Sequence, residues 1–192
     1  MSAGTDGKRP LLGDLVAPGL RVLIVAINPS SRSAGIGYSF SSPSNPFWRL
    51  LHQSGLTPVQ LQPCEEHRLL DHGIGLVSTV LRATPAAAEL TLAERRAGAA
   101  RVGGLVERHS PQVVALLGLT LYPLFFPSGT SRGRGLKPDR LHNAEVYVLP
   151  NPMLIPDDAI VSVIEQKVLI DLKKLDPAIR AAIGHAHDAE TE

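Results

Sequence analysis

Short apolar runs alternate along this chain with segments in which apolar positions recur every three or four residues. A continuous apolar run is typical of a strand covered on both faces, whereas the longer period is typical of a helix with one buried face. The apolar runs lie at residues 22–27, 74–80, 111–118 and 145–149. Strands that alternate with helices predict an α/β fold, here a three-layer α/β/α sandwich with a mostly parallel central sheet.

Local start signals place helices between these runs. Asn45 followed by Pro46 is typical of a helix start. Thr91 and Glu94 have the spacing of a capping box, which predicts a helix that ends at about residue 109. Further expected elements are a short helix at 119–126, a loop rich in glycine and basic residues at 128–140, and a last helix at 157–175.

The charge balance excludes a strongly basic surface over the whole molecule. The chain has 192 residues, enough for one domain, and its 19 basic and 18 acidic residues give a formal net charge of +1. Nucleic-acid binding depends on neutralising phosphates, so any such surface must be local. Arg132, Arg134 and Lys137 in the 128–140 loop are either phosphate contacts or simply solvated side chains.

Cysteine and histidine usage gives little support for a metal site. Cys64 is the one cysteine of the sequence, which excludes an internal disulfide and a multi-cysteine zinc site, and the seven histidines lack ligand spacing. We therefore expect neither a metal nor another cofactor. Because no leader sequence and no apolar run of membrane-spanning length is visible, we expect a cytoplasmic protein with no membrane partner.

Two Asn-Pro corners follow predicted strands, at Asn28 and at Asn151. Since the carboxyl ends of parallel strands meet at one edge of a sheet, both corners are expected at the edge where α/β sheets bind ligands. Asn-Pro is also a common turn dipeptide. If Asn28 is functional, its amide orients a water or a polar edge of the substrate, because an amide is too weak a base to deprotonate a nucleophile.

The segment after Asn28 combines glycines with aromatic residues. Gly35 and Gly37 lack the third glycine and the later acidic residue of a dinucleotide-binding loop, so they are more consistent with close approach to a ligand. Phe40 is either a platform on which a planar ring stacks or a core residue. The apolar residues between Asn151 and Pro156 either wedge into a base stack or fold onto the last helix.

Many of these positions resemble the mismatch-specific uracil-DNA glycosylase and thymine-DNA glycosylase family, within the uracil-DNA glycosylase superfamily. The resemblance extends over roughly residues 14–175 and is strongest in its first block. The residues that carry it are Ala17-Pro-Gly-Leu-Arg-Val22, Ile27-Asn28-Pro29, Ser33-Ala34-Gly35, Phe40, Pro43, Asn45, Phe47-Trp48, Ser54-Gly55, His72-Gly-Ile-Gly75, Arg82-Ala-Thr84, Glu89-Leu90 and Val148-Leu-Pro-Asn-Pro152.

The resemblance implies a monofunctional DNA glycosylase that flips uracil or a related damaged pyrimidine out of duplex DNA and hydrolyses its N-glycosidic bond. In this interpretation Asn28 is the catalytic, water-positioning residue. The expected partner is double-stranded DNA with a lesion or mismatch, bound by a monomer. The remaining implied site residues are Ile27, Ser33, Phe40, Ser78 and Asn151 in the base pocket, and Met153, Leu154 and Ile155 in the loop that enters the duplex.

The chain departs from the family pattern at three places. Ser30 replaces the glycine of the usual Asn-Pro-Gly corner, and Ser78 stands where relatives carry Lys or Asn. In the insertion loop, Asp157 replaces an arginine, and a carboxylate repels phosphate. The resemblance implies a single glycosylase domain over residues 14–176. From composition we expect residues 1–13 to be a flexible arm and 177–192 a mostly flexible tail.

Two other functions remain open from the sequence. One is a protein of the same fold that binds mismatches or damage and has weak or no catalysis. The other is a small-molecule α/β enzyme that uses the same pocket. Base release separates the glycosylase from the binding protein, and any DNA-dependent activity or DNA protection separates both from the small-molecule enzyme.

Overall fold

A computed structural model of the protein describes residues 12–129 and 132–154. Its centre is a five-stranded sheet with the order β2-β1-β3-β5-β4. The first four strands in that order are parallel, and the edge strand β4 pairs antiparallel with β5. The strands are β1 (Val22–Ala26), β2 (Ile74–Ser78), β3 (Val113–Leu117), β4 (Gly135–Leu141) and β5 (Ala144–Leu149).

Helices cover both faces of this sheet, which confirms the predicted three-layer α/β/α sandwich. The α-helices are α1 (Ser31–Ile36), α2 (Phe47–Gln53), α3 (Leu92–His109) and α4 (Tyr122–Phe125). Three 3₁₀ segments, Pro63–His72, Ala87–Glu89 and Pro152–Leu154, complete the described elements. Among the described helices, none is both long enough and apolar enough to cross a bilayer.

The apolar side chains of each central strand point alternately into two separate cores. On β1, Val22 and Ile24 pack in the core that α2 covers, whereas Leu23 and Val25 pack in the core that α3 covers. Because both faces are covered, the strand has no polar position, which explains why it is visible in the sequence as a continuous apolar run.

Capping interactions fix the ends of the helices. The Thr91 hydroxyl accepts a hydrogen bond from the Glu94 N–H at 3.2 Å, and the Glu94 carboxylate accepts one from the Thr91 N–H at 2.8 Å. This is the capping box that the sequence predicts, and the helix ends at His109 as expected. Helix α2 begins at Phe47, one residue later than predicted, with Asn45 Oδ1 accepting from its N–H at 3.0 Å.

Three local predictions were wrong or incomplete. The residues after Asn28, interpreted as a loop, form helix α1, and the segment before β2 contains the 3₁₀ segment Pro63–His72. The 128–140 segment is a loop only in part, because strand β4 begins at Gly135. Pro138 and the charged residues Lys137, Asp139 and Arg140 obscure that strand in the sequence, and the proline is tolerated because β4 lies at the sheet edge. The predicted last helix lies outside the described residues.

Candidate active site

A cavity of about 410 Å³ lies at the carboxyl edge of the parallel strands. This volume lies within the range of roughly 300–1,000 Å³ that is typical of small-molecule sites. The strand order reverses around β1, because β2 and β3 lie on opposite sides of it, and such a reversal is where α/β sheets bind ligands. The lining residues that come from the four parallel strands, or directly follow them, are Ala26, Ile27, Asn28, Leu76, Ser78, Leu117 and Asn151.

The side chain of Asn28 is held in one orientation at this edge. Its Nδ2 donates to the Thr84 hydroxyl at 2.7 Å and to the backbone carbonyls of Pro29 and Arg82, both at 3.1 Å. A carbonyl only accepts, so the amide nitrogen must face these partners. Oδ1 is thus directed away from them, and it accepts no hydrogen bond from any residue that the structure describes. The acceptor that would hold a water is therefore available.

Thr84 fixes the direction of the bond to Asn28. Its side chain is only 2% exposed, and its hydroxyl donates to the Ala86 carbonyl at 2.8 Å. A hydroxyl has one proton, so the same oxygen must accept from Asn28. Thr84 also bonds the corner through its backbone, because its N–H donates to the Pro29 carbonyl at 3.2 Å. Sequence reasoning included Thr84 only as part of the resemblance and gave it no role.

Arg82, whose backbone carbonyl accepts a hydrogen bond from Asn28, is itself held by an ion pair with Glu94. The Arg82 guanidinium donates to both carboxylate oxygens of Glu94, at 2.7 and 3.1 Å. The hydrogen bond from Arg82, followed by those from Thr91, lowers the pKa of Glu94 to about 2. The folded pKa lies below the ordinary value, so the pair is complete above about pH 4.5 and is lost only as the pH falls through about 2. The ion pair between Arg82 and Glu94 is therefore intact at any neutral assay pH.

Ser30 follows the Asn28-Pro29 corner in an unstrained conformation. Its φ of −70° and ψ of 156° are ordinary extended values, so the position does not require glycine. Its Oγ accepts from the Ser33 N–H and donates to the Ser33 Oγ, both at 3.1 Å, which caps helix α1. Ser33 is buried on the cavity wall, and its hydroxyl retains a proton for a ligand.

Phe40 is partly a core residue and partly a ring at the cavity wall, so it combines the two roles that the sequence left open. Its ring stacks on Phe47 with 3.8 Å between centroids and packs against the core, and it also lines the cavity. Its φ of +51° is uncommon for a bulky residue, and such strain is concentrated at functional sites. Phe47 thus supports one face of the ring at the cavity wall.

The second Asn-Pro corner also reaches the cavity. Asn151 Oδ1 accepts from the Met153 N–H at 3.0 Å, which fixes the turn that leads into the segment Pro152–Leu154. Met153 lines the cavity and is 51% exposed, as an apolar residue at the mouth of a site would be. The backbone of Leu154 belongs to this segment, whereas Ile155 and Asp157 lie outside the described residues.

A contribution from the start of the chain was not foreseen. Leu12 lines the cavity, and Leu15 pairs with Leu76 of β2 through two backbone hydrogen bonds of 2.9 Å. Arg101 of α3 connects the same region, since its guanidinium donates to the Asp14 carboxylate and to the backbone carbonyl of Ser78. The backbone of the predicted pocket residue Ser78 is thus held by Arg101, a residue that does not line the cavity.

The basic residues predicted as phosphate contacts do not line the cavity. Arg132 and Arg134 are exposed, but Lys137 is only 4% exposed and its Nζ donates to the backbone carbonyls of Arg132 and Gly133 at 3.1 and 2.7 Å. Burial lowers the pKa of Lys137, and the ammonium lies 5.3 Å from the centre of the Tyr122 ring. Lys137 therefore holds the β4 region together, a role that differs from both the phosphate contact and the solvated side chain that the sequence left open.

The cavity wall has few groups for acid–base chemistry. No Asp, Glu or His is among the described residues that line it, and residues 12–129 and 132–154 contain no cluster of three potential metal ligands. Amide, hydroxyl and backbone groups line the wall next to an aromatic ring. Such a wall is suited to holding a planar polar ring and a water rather than to removing a proton.

A comparison with protein families agrees with this geometry. A family model described as "Uracil DNA glycosylase superfamily" matches residues 14–155, which span most of the chain and include every strand of the sheet. Asn28, Phe40 and Asn151 all lie within the match. The chain therefore belongs to the uracil DNA glycosylase superfamily.

Proposed function

We propose that this protein is a mismatch-specific uracil-DNA glycosylase, which flips uracil or a related damaged pyrimidine out of duplex DNA and hydrolyses its N-glycosidic bond. Membership of the superfamily supports DNA glycosylase activity in general. The observation that supports the finer assignment is Asn28, whose amide nitrogen is fully engaged while its oxygen remains available at the cavity.

The proposed reaction follows from the groups at the wall. The C1′–N1 bond breaks first and leaves an oxocarbenium-like sugar, and the electron pair departs with the pyrimidine as an anion. A water held by Asn28 Oδ1 then adds to C1′, and its proton passes to solvent. Because the sugar is already electron-deficient, the water needs orientation rather than deprotonation. A neutral amide can supply that orientation.

Three further wall residues support the binding of a flipped base. Phe40 offers a ring to the cavity, and stacking of a base on an aromatic ring contributes about 1–3 kcal/mol. Ser33 has a hydroxyl proton to donate to a pyrimidine carbonyl. Met153 lines the cavity and is exposed, which supports a role as the apolar wedge that fills the space the base leaves.

We expect the purified protein to release uracil from a duplex with a single G·U pair, with a chelator present. The measurement is strand cleavage at the resulting abasic site, seen on a denaturing gel. Extrusion costs less from a weak pair, so release should be faster from G·U than from A·U. A panel with uracil, thymine and ethenocytosine, each opposite every base and in single strands, defines the substrate range. Binding of mismatched duplexes without any release would instead support the damage-binding alternative.

We expect Thr84→Val to slow base release about fivefold, because it removes the hydrogen bond of roughly 1 kcal/mol that orients Asn28. The substitution keeps the shape of the buried side chain but leaves no hydroxyl for Nδ2. The loss should fall on kcat, with KM nearly unchanged, since Thr84 acts through Asn28. Thr84→Ser retains the hydroxyl and should restore most of the rate. An equal loss in both variants would show that Thr84 matters only for packing.

A further inference from the structure

The charge of the cavity wall comes from a single side chain. Arg32, in helix α1, is the one charged residue among the described residues that line the cavity. It follows exposed Ser31 and precedes buried Ser33 in the chain. Ser33 belongs to the inside of the cavity, whereas the exposed Arg32 lies at its mouth.

The guanidinium of Arg32 has no partner within residues 12–129 and 132–154. Other arginines close to the site are neutralised: Arg82 pairs with Glu94, and Arg101 pairs with Asp14. Since no carboxylate lines the cavity among the described residues, no acid of the wall competes for Arg32. An exposed, unpaired arginine beside a neutral pocket is a suitable partner for an external anion.

We propose that Arg32 binds a backbone phosphate next to the flipped nucleotide. This inference rests on the proposed function, because a base enters the cavity only if its nucleotide rotates about the backbone. The phosphates on either side of that nucleotide must then approach the mouth of the cavity, where Arg32 lies. The planar guanidinium forms two parallel hydrogen bonds to phosphate, which fixes both position and direction.

The proposal also explains how a protein with almost no net charge can attract the DNA backbone. With a net charge of +1, the protein has no general attraction for DNA, and Lys137 is used internally. A single cation at the mouth attracts the backbone where the lesion must enter. Binding through Arg32 is therefore independent of base sequence and helps to hold the extrahelical nucleotide in the pocket.

The test compares Arg32→Gln with the wild-type protein on duplexes that contain one uracil. One duplex has natural phosphates, and two others have a neutral methylphosphonate on the 5′ or the 3′ side of the uracil. We expect Arg32→Gln to lower kcat/KM about tenfold on natural DNA, as expected for one charge-assisted contact. One of the methylphosphonates should lower the wild-type value by a similar factor and leave the variant nearly unaffected.

Two controls exclude a general effect of charge. Arg108→Gln removes an exposed arginine from the last turn of α3, at the opposite edge of the sheet, and should remain as sensitive to the methylphosphonate as the wild type. Arg32→Lys keeps the charge and should recover part of the loss. A plot of the logarithm of the binding constant against the logarithm of the salt concentration has a negative slope. In Arg32→Gln this slope should be less steep by about 0.9, as for one lost phosphate contact.

The outcomes separate this inference from the proposed function. If each methylphosphonate lowers kcat/KM by the same factor in Arg32→Gln as in the wild-type protein, Arg32 binds neither of the two phosphates and the inference is overturned. If the wild-type protein binds these duplexes but releases no base, the proposed function fails, and the same comparison of binding constants decides the phosphate contact. If it binds none of them, both are overturned.

Discussion

Asn28→Ala is expected to slow uracil release by about 100- to 1,000-fold, the range found when a catalytic positioning group is removed from a preorganised site. The variant loses the acceptor that holds the water. The two other amides among the described lining residues do not replace it, because Asn45 Oδ1 already accepts from the Phe47 N–H and Asn151 Oδ1 from the Met153 N–H. The rate should be measured under single-turnover conditions with enzyme in excess, so that product release does not mask the chemical step.

Gln112→Ala is the matched control for Asn28→Ala. It also removes a side-chain amide, but from an exposed position just before β3, at the edge opposite the cavity. The control should release uracil at the wild-type rate. Affinity for a duplex with an uncleavable uracil analogue should change little in Asn28→Ala, since the stacking and backbone contacts remain. Wild-type release by Asn28→Ala would remove Asn28 from the mechanism.

Gly98→Ala is expected to destabilise the fold by a net of about 1–2 kcal/mol, because overpacking a tight contact costs about 2–3 kcal/mol and only part of this cost is offset. A Cβ at Gly98 would lie 2.3 Å from the Thr79 carbonyl oxygen and 2.8 Å from its carbon. Those atoms are backbone and have little freedom to move, so helix α3 itself must shift away from the end of β2. The better helix propensity of alanine offsets only about 1 kcal/mol of this cost.

Gly104→Ala in the same helix separates packing from propensity. A Cβ there meets nothing within 4 Å, so this variant should gain about 0.5–1 kcal/mol. Chemical denaturation of both variants gives the two signs directly. For a chain of this size, the net loss in Gly98→Ala should lower Tm by roughly 2–8 °C. Equal stabilisation by both substitutions would contradict the close contact with Thr79.

The sequence was most informative where local signals and burial agree. The four parallel strands are buried on both faces, so each is a continuous apolar run, and Thr91 with Glu94 marks the start of α3 unambiguously. The position of Asn28 at the sheet edge followed from the order of the elements. Its orientation did not, because that depends on Thr84 and Arg82, which are far from it along the chain.

Contacts between distant residues explain the features that sequence reasoning missed. In the sequence, Lys137 is one of three basic residues of the same segment, with Arg132 and Arg134. Only the fold of β4 directs its ammonium toward backbone carbonyls. Leu12 lies within the segment 1–13, which the sequence predicts to be a flexible arm, and its place at the cavity depends on pairing between Leu15 and β2. Neither has a local pattern that could reveal it.

The cavity wall combines the beginning and the end of the described chain, since Leu12 and Met153 both line it. The pocket is therefore complete only after the sheet has formed and both distant segments have joined it. Contacts of such long sequence separation form late in folding. A ligand that fills the pocket binds only the completed form, so it stabilises the whole domain by mass action and holds both segments in place. Occupancy and resistance to proteolysis at the two ends are thus thermodynamically linked.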